Sequence, residues 1–151
     1  LVMELNLPSY KVRLKEESGK KFIFDEIRKK YLVLTPEEWV RQHFIQYLCR
    51  YKGVPASLIA VEKELKYDKL KKRTDILVYG QDGRPKLIVE CKSPSVKITQ
   101  ETFDQIARYN MVLRVDYLVV TNGNEHYCCY MNYSNDQINF TDDIPNFVKY
   151  S

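Results

Sequence analysis

Residues 75–92 read Asp-Ile-Leu-Val-Tyr-Gly-Gln-Asp-Gly-Arg-Pro-Lys-Leu-Ile-Val-Glu-Cys-Lys, and this stretch constrains the fold more than any other. Apolar runs at 76–79 and 87–89 flank Asp82-Gly83, the pair best suited to the positive φ values of a type I′ hairpin turn. A two-residue loop at 82–83 and a four-residue loop at 81–84 give the same register, and both set Asp75 opposite Glu90. The two Cβ atoms are then expected roughly 4.5–5.5 Å apart on one face of the sheet. Lys92, two residues further on, shares that face, while Cys91 points away. Directly opposed like charges destabilise a sheet. Two carboxylates held in this way, beside a lysine, make chemical sense when a cation lies between them.

The same hairpin is apolar on both faces, with Ile76, Val78, Leu87 and Val89 on one and Leu77, Tyr79 and Ile88 on the other. It therefore belongs in the middle of a sheet covered on both sides, with the carboxylates at one end. A chain of 151 residues, 44% hydrophobic and 29% charged, reads as one soluble domain with a substantial core. We assign residues 1–30 to an accessory N-terminal hairpin, 31–133 to the core and 134–151 to a tail. There is no apolar run near the ~20 residues of a membrane span, and the opening residues lack the basic-then-apolar layout of a secretory signal. Cys49, Cys91, Cys128 and Cys129 sit in apolar segments without C-x-x-C spacing, the pattern of reduced, buried thiols in a cytoplasmic protein. His43 and His126 do not stand at ligand spacing with them, which argues against zinc.

Charge is unevenly placed. The window from Lys63 to Arg73 holds six basic and two acidic residues, so it carries the whole net charge of +4. Lys69, Lys71, Lys72 and Arg73 lead straight into Asp75. Such a run reads either as a solvated loop or, next to a metal site, as a surface that positions phosphates.

Local signals order the remaining elements. Segments 10–14 and 21–24, joined across Ser18-Gly19, form the expected N-terminal hairpin. Thr35-Pro36-Glu37-Glu38 starts a helix, with Thr35 as N-cap, Pro36 at the first helical position and Glu38 closing a capping box. Val40, Phe44, Tyr47 and Leu48 carry that helix to about residue 50, where Gly53-Val54-Pro55 breaks it. A strand at 58–65, the basic loop and the central hairpin follow. Thr99 then caps a helix over 100–113, and strands at 116–121 and 126–133 pair across Asn122-Gly123. The tail is expected to be irregular or briefly helical.

That order, together with Asp75 and Glu90-Cys91-Lys92, resembles the PD-(D/E)xK nuclease superfamily. Thr35-Pro36-Glu37-Glu38-Trp39-Val40-Arg41-Gln42, Arg73-Thr74-Asp75-Ile76-Leu77-Val78-Tyr79 and Val89-Glu90-Cys91-Lys92-Ser93-Pro94 look like the N-terminal nuclease domain of type I restriction enzyme R subunits and its stand-alone relatives. Phe103-Asp104-Gln105-Ile106-Ala107-Arg108-Tyr109 extends the likeness, which covers about residues 25–130. Thr74 stands where the motif's name has proline, a variable position. No GxxxxGK[ST] phosphate loop occurs, so either a stand-alone enzyme or a module beside a separate ATP-driven motor or restriction-modification subunit is expected.

The resemblance implies an α/β (α+β) fold with a restriction-endonuclease-like core: a central mixed sheet flanked by helices, with the N-terminal hairpin as an addition. It implies Mg²⁺, replaceable by Mn²⁺, held by Asp75 and Glu90 with the Cys91 carbonyl and a glutamate of the first helix, for which Glu38 has the spacing. Glu38 is equally explained by its capping box, and Glu62 is a weaker third carboxylate. Lys92 is the expected catalytic lysine, and the substrate is nucleic acid, with DNA favoured. Gln105, Arg108 and Tyr109 join Lys69, Lys71, Lys72 and Arg73 as nucleic-acid contacts, and nothing in the chain looks built to read base edges. The open alternatives are a module that binds nucleic acid without cutting, or an interaction module whose acids are salt-bridged to cations such as Arg73 and Lys92.

Overall fold

The computed structural model describes residues 3–151. Its first sheet is a small antiparallel meander, β1 (Leu14–Glu17), β2 (Lys20–Asp25) and β3 (Lys30–Val33). The β1–β2 turn lies at Ser18 and Gly19, both left-handed at φ 52° and 80°. Two expectations change here. Residues 10–13 are not strand, and a third strand turns the hairpin into a sheet that runs past residue 30. The Asp25 carboxylate is the local cause, because it accepts the Ile27 and Arg28 amides at 2.8 and 2.9 Å and folds the chain back onto β2.

Helix α1 (Pro36–Tyr51) starts as expected, with Thr35 Oγ1 accepting the Glu38 amide at 3.0 Å. After it comes a six-stranded sheet of β4 (Ile59–Tyr67), β5 (Leu70–Tyr79), β6 (Pro85–Cys91), β7 (Tyr117–Thr121), β8 (His126–Asn132) and β9 (Gln137–Thr141), in that spatial order. Helix α2 (Gln100–Met111), capped by Thr99, crosses from β6 to β7, the one parallel pair; every other neighbour is antiparallel. Strand β9 forms in the expected tail, so the sheet extends beyond residue 133.

The helices cover opposite faces. Val40, Phe44 and Leu48 of α1 pack on Ile76, Val78, Leu87 and Val89. Phe103 and Ala107 of α2 pack on Leu77, Ile88, Leu118 and Val120. The two-sided apolar hairpin thus lies at the centre of the sheet, as its alternation required. The N-terminal segment crosses the β7–β8 turn, where the Asn6 amide donates to the Gly123 carbonyl at 2.9 Å. A Cβ on Gly123 (φ 89°) would lie 2.8 Å from Leu5 and 3.0 Å from Val40, so this crossing needs glycine.

The β5–β6 turn differs from the expected type I′. Only Gly83 is left-handed (φ 79°), the Gly83 amide donates to the Gly80 carbonyl, and the Asp82 carboxylate accepts the Arg84 amide. This is the three-residue loop that ends on a left-handed glycine. It displaces the pairing by one residue, and a bulge between Val78 and Tyr79 restores it, giving Val78↔Leu87, Leu77↔Ile88 and Ile76↔Val89.

The basic run is not a loop. Residues 63–73 lie mostly in β4 and β5, paired from Lys63↔Thr74 to Tyr67↔Leu70 around a turn at Asp68-Lys69. Leu65, Tyr67 and Leu70 supply a period-two apolar signal that the charges obscure. Among the described residues no helix is long and apolar enough to cross a membrane. The four cysteines are free, and burial pushes Cys128 and Cys129 up to about 11 and about 12, leaving them as inert thiols.

Candidate active site

Asp75 and Glu90 stand at the end of the central hairpin, one step beyond Ile76↔Val89 in the restored register. Their carboxylates have separate partners. Asp75 Oδ2 accepts the Cys91 amide at 2.7 Å, and Oδ1 lies 3.5 Å from Arg41 Nη1 on α1. Glu90 Oε1 lies 2.8 Å from Lys72 Nζ on β5, and Glu90 is only 7% exposed. The salt-bridge partners are therefore Arg41 and Lys72, where the sequence pointed to Arg73 and Lys92. Burial pushes both carboxyls above the ordinary range, more than the surrounding cations and the Cys91 amide bond pull them down. The Cys91 side chain is buried in the α1-face core. Lys92 anchors its amide on the Thr121 carbonyl at 2.8 Å and makes no ion pair among the described residues.

Lys72 arrives through a break in the β4–β5 ladder. Glu62 adopts a left-handed φ of 53° opposite Asp75, and this one pair is missing from the register. Ala60 and Leu77 pack on the α2 side, and so does Leu65, which pairs with Lys72. An odd separation in a regular strand would put them on opposite faces. The break exchanges the faces, and Lys72 meets Glu90 as a result.

Two expected carboxylates are engaged elsewhere. Glu38 takes the Arg41 guanidinium on both oxygens, at 2.9 and 2.6 Å, and the Gln42 amide at 2.9 Å. Its side chain does not close the capping box, and both of its oxygens are already hydrogen-bonded. Glu62 is bridged by Arg28 at 3.3 Å and Arg41 at 3.2 Å. The acid of α1 that feels the site is Glu37. Its carboxyl is pushed up by local desolvation and by the Asp75 charge, and pulled back by Arg41 and Lys92. Helical spacing held this signal: Glu37 and Arg41 are four apart on one face, but the capping pattern favoured Glu38.

The basic residues separate by exposure. Lys66, Lys69, Lys71 and Arg73 are exposed along the β4–β5 arm, whereas Lys72 is turned in. On α2, Tyr109 lies with its ring centroid 5.1 Å from Lys72 Nζ and its hydroxyl donating to the Lys71 carbonyl at 3.2 Å. Gln105, one turn away, and Arg108 are exposed. The histidines are structural: His43 hydrogen-bonds the Trp39 carbonyl, and His126 sits between Thr121 and the Asn6 carbonyl. A cavity of about 550 Å³ is lined by Leu5, Tyr10, Trp39 and His43 and does not include the acids.

The donor chemistry fits a hard divalent ion. Asp75 and Glu90 offer carboxylate oxygens, and Glu90 Oε1 is buried with a cation, the Lys72 ammonium, as its neighbour. No cage of three or more His, Cys, Asp or Glu side chains exists among the described residues. Magnesium does not require one, since it keeps several waters and is held by one or two carboxylates.

Residues 36–145 match the family model described as type I restriction enzyme R protein N terminus, and the chain belongs to this family. The mixed sheet with a helix on each face is the restriction-endonuclease-like arrangement that the sequence resemblance implied. Among solved structures, the chain is similar to a fragment of a putative HsdR subunit of a type I restriction enzyme from Vibrio vulnificus YJ016, with 21% identity and a TM-score of 0.42. That similarity covers 61% of this chain and 19% of the other, so the chain spans a small part of the relative's length. No curated protein matches it.

Proposed function

We propose that the chain is a metal-dependent nuclease module that hydrolyses phosphodiester bonds of nucleic acid, DNA above all, with low intrinsic sequence specificity. The observation that carries this reading is the pair of carboxylates, half-buried Asp75 and buried Glu90, with raised pKa values beside a lysine that makes no ion pair among the described residues. Asp75, Glu90 and the Cys91 carbonyl are the groups that would hold Mg²⁺ or Mn²⁺, with Glu37 the acid of the helix whose carboxyl feels the Asp75 charge. When bound, the ion would supply Lewis acidity and lower the pKa of a bound water. Lys92 orients the attacking water and stabilises charge developing on the phosphoryl group. Arg41 holds Asp75 toward the site. Lys69, Lys71, Arg73 and Arg108, with Gln105 and Tyr109 on α2, meet the backbone, contacts that position a substrate and carry no sequence information. An ATP-driven motor or restriction-modification subunit is the partner we propose from the family.

The test is nicking of plasmid and single-stranded substrates with Mg²⁺ or Mn²⁺, paired with calorimetric Mn²⁺ titration. The wild type should cut and bind Mn²⁺; Asp75→Asn and Glu90→Gln should fold, lose Mn²⁺ binding and lose cleavage. Cutting by all three alike would remove the acids from the mechanism. A second reading, a salt-bridged module without catalysis, draws on the cation already present at each acid. It holds if the wild type neither binds Mn²⁺ nor cuts, alone or with a motor subunit.

A further inference from the structure

Lys72 differs from every other cation of the basic arm. Its side chain is 21% exposed, its ammonium lies 2.8 Å from Glu90 Oε1, and Tyr109 covers it at 5.1 Å. Lys66, Lys69, Lys71 and Arg73 around it are open to solvent. The contact is short enough for the ammonium to compensate the Glu90 charge directly. It also depends on an uncommon backbone: without the left-handed Glu62 and the missing 62–75 pair, Lys72 would emerge on the other face of the sheet. A strained, face-exchanging step therefore delivers an ammonium to the buried oxygen that a divalent ion would need.

We propose that Lys72 is a resident counter-ion, occupying the cation position at Glu90 in the metal-free protein and leaving it when a divalent ion binds. The inference rests on the metal-site reading above and adds an exchange to it. An ammonium and a divalent cation cannot share one carboxylate oxygen without strong repulsion. Lysine suits such a role, because it is a compact charge on a flexible four-carbon stem that can swing out. A buried carboxylate is costly to leave uncompensated, so the resident ammonium lets the fold form without metal. The consequence is a lowered metal affinity, since each ion must displace a charge already in place. The two lysines then divide the work, with Lys72 guarding the empty site and Lys92 serving the loaded one.

The experiment is calorimetric titration of the intact chain with Mn²⁺ alone, comparing wild type with Lys72→Gln, Lys72→Met and Lys71→Gln. Both Lys72 variants should bind Mn²⁺ at least about tenfold tighter, the scale expected on removing a like charge that touches the site. Lys71→Gln, which removes the same charge from an exposed neighbour, should change affinity far less. Equal affinity in wild type and both Lys72 variants overturns the counter-ion and leaves the metal site standing, as does weaker binding in the variants. Binding in none of the four overturns the counter-ion and the metal site together. A second readout needs no variant to fold: saturating Mg²⁺ should shift the Tyr109 ring resonances of the wild type as the ammonium leaves. Unmoved Tyr109 resonances in Mg²⁺-bound protein would overturn the exchange.

Discussion

Two sets of carboxylates lie around α1 and behave oppositely. In the first, Asp25, Glu38 and Glu62 are threaded by Arg28 and Arg41 at distances between 2.6 and 3.3 Å. Burial alone would raise Asp25, but hydrogen bonds from the Arg28 and Ile27 amides and the Arg28 guanidinium hold it below the usual range. Glu62 is likewise lowered, by Arg41 and Arg28 against its own burial. In the second set, half-buried Asp75 and buried Glu90 have one close side-chain cation each and stay raised. The difference lies in the donors. Arginine forks saturate the first set and tie the small sheet to α1 and β4, whereas the second set is left short of partners. An undersupplied acid pair is a poor structural device and a good receptor for a cation.

Breaking the saturated set should have the largest effect. Arg41→Met leaves Glu38 buried without its two-point partner, and stability should fall by about 3–5 kcal/mol, the usual result of removing one half of a buried pair. Urea denaturation measures it. A loss near zero would mean that the network is solvated and that the contrast with Asp75 and Glu90 is false.

On the undersupplied side, the next effect is catalytic. Lys92→Met should retain Mn²⁺ and DNA binding but lose plasmid nicking by roughly 10²-fold or more, the scale of one transition-state charge stabiliser. Lys92→Arg should also be impaired, because a planar fork does not replace a point charge in a tight site. Full activity in Lys92→Met would return Lys92 to simple charge balance.

Acid titration should separate the sets by sign. Asp25 has a lowered folded pKa, so on acidification the unfolded chain takes up the proton first. Its stabilisation is complete above the ordinary value of 3.8 and is lost as pH falls through the folded value. The stability gap between wild type and Asp25→Asn should thus be widest at neutral pH and close in acid. Glu90 has a raised folded pKa, so its contribution is present below the ordinary value of 4.5 and lost as pH rises through the folded one. Metal-free Glu90→Gln should therefore match or exceed the wild-type melting temperature at neutral pH and lose that advantage in acid. Gaps of the same sign in both variants would erase the distinction.

Much of this contrast is legible in the chain, for reasons that can be traced. Period-two apolar faces on both strands of the central hairpin place it mid-sheet, and counting residues across the loop sets Asp75 by Glu90 even though the turn is not the expected type. The loop shift and the Val78/Tyr79 bulge cancel, which no residue pattern announces. Sequence alone puts Lys72 on the phosphate surface because alternation hides a face exchange, and nothing in the side chain of Glu62 signals a left-handed φ. It favours Glu38 over Glu37 because capping is a local rule, while the choice between them depends on where Arg41 points. Strand β9 stays hidden because its residues Gln137–Thr141 are mostly polar or exposed, with pairing to β8 supplying what their own pattern lacks.

The smallest expected effect divides the basic arm itself. Neutralising Lys69, Lys71 and Arg73 together removes exposed cations while leaving the acids untouched. If they meet phosphates, binding should weaken uniformly across sequences. The slope of log K against log salt should flatten by about 0.9 for each phosphate of duplex DNA that is no longer neutralised. Lys72→Gln should leave that slope nearly unchanged in the metal-free protein, because its ammonium is engaged with Glu90 and withheld from phosphate. Binding titrations over several salt concentrations supply both slopes. Should Lys72→Gln flatten the slope as much per charge as the exposed triple, Lys72 belongs with the arm. The line between phosphate surface and acid site then moves inward by one residue.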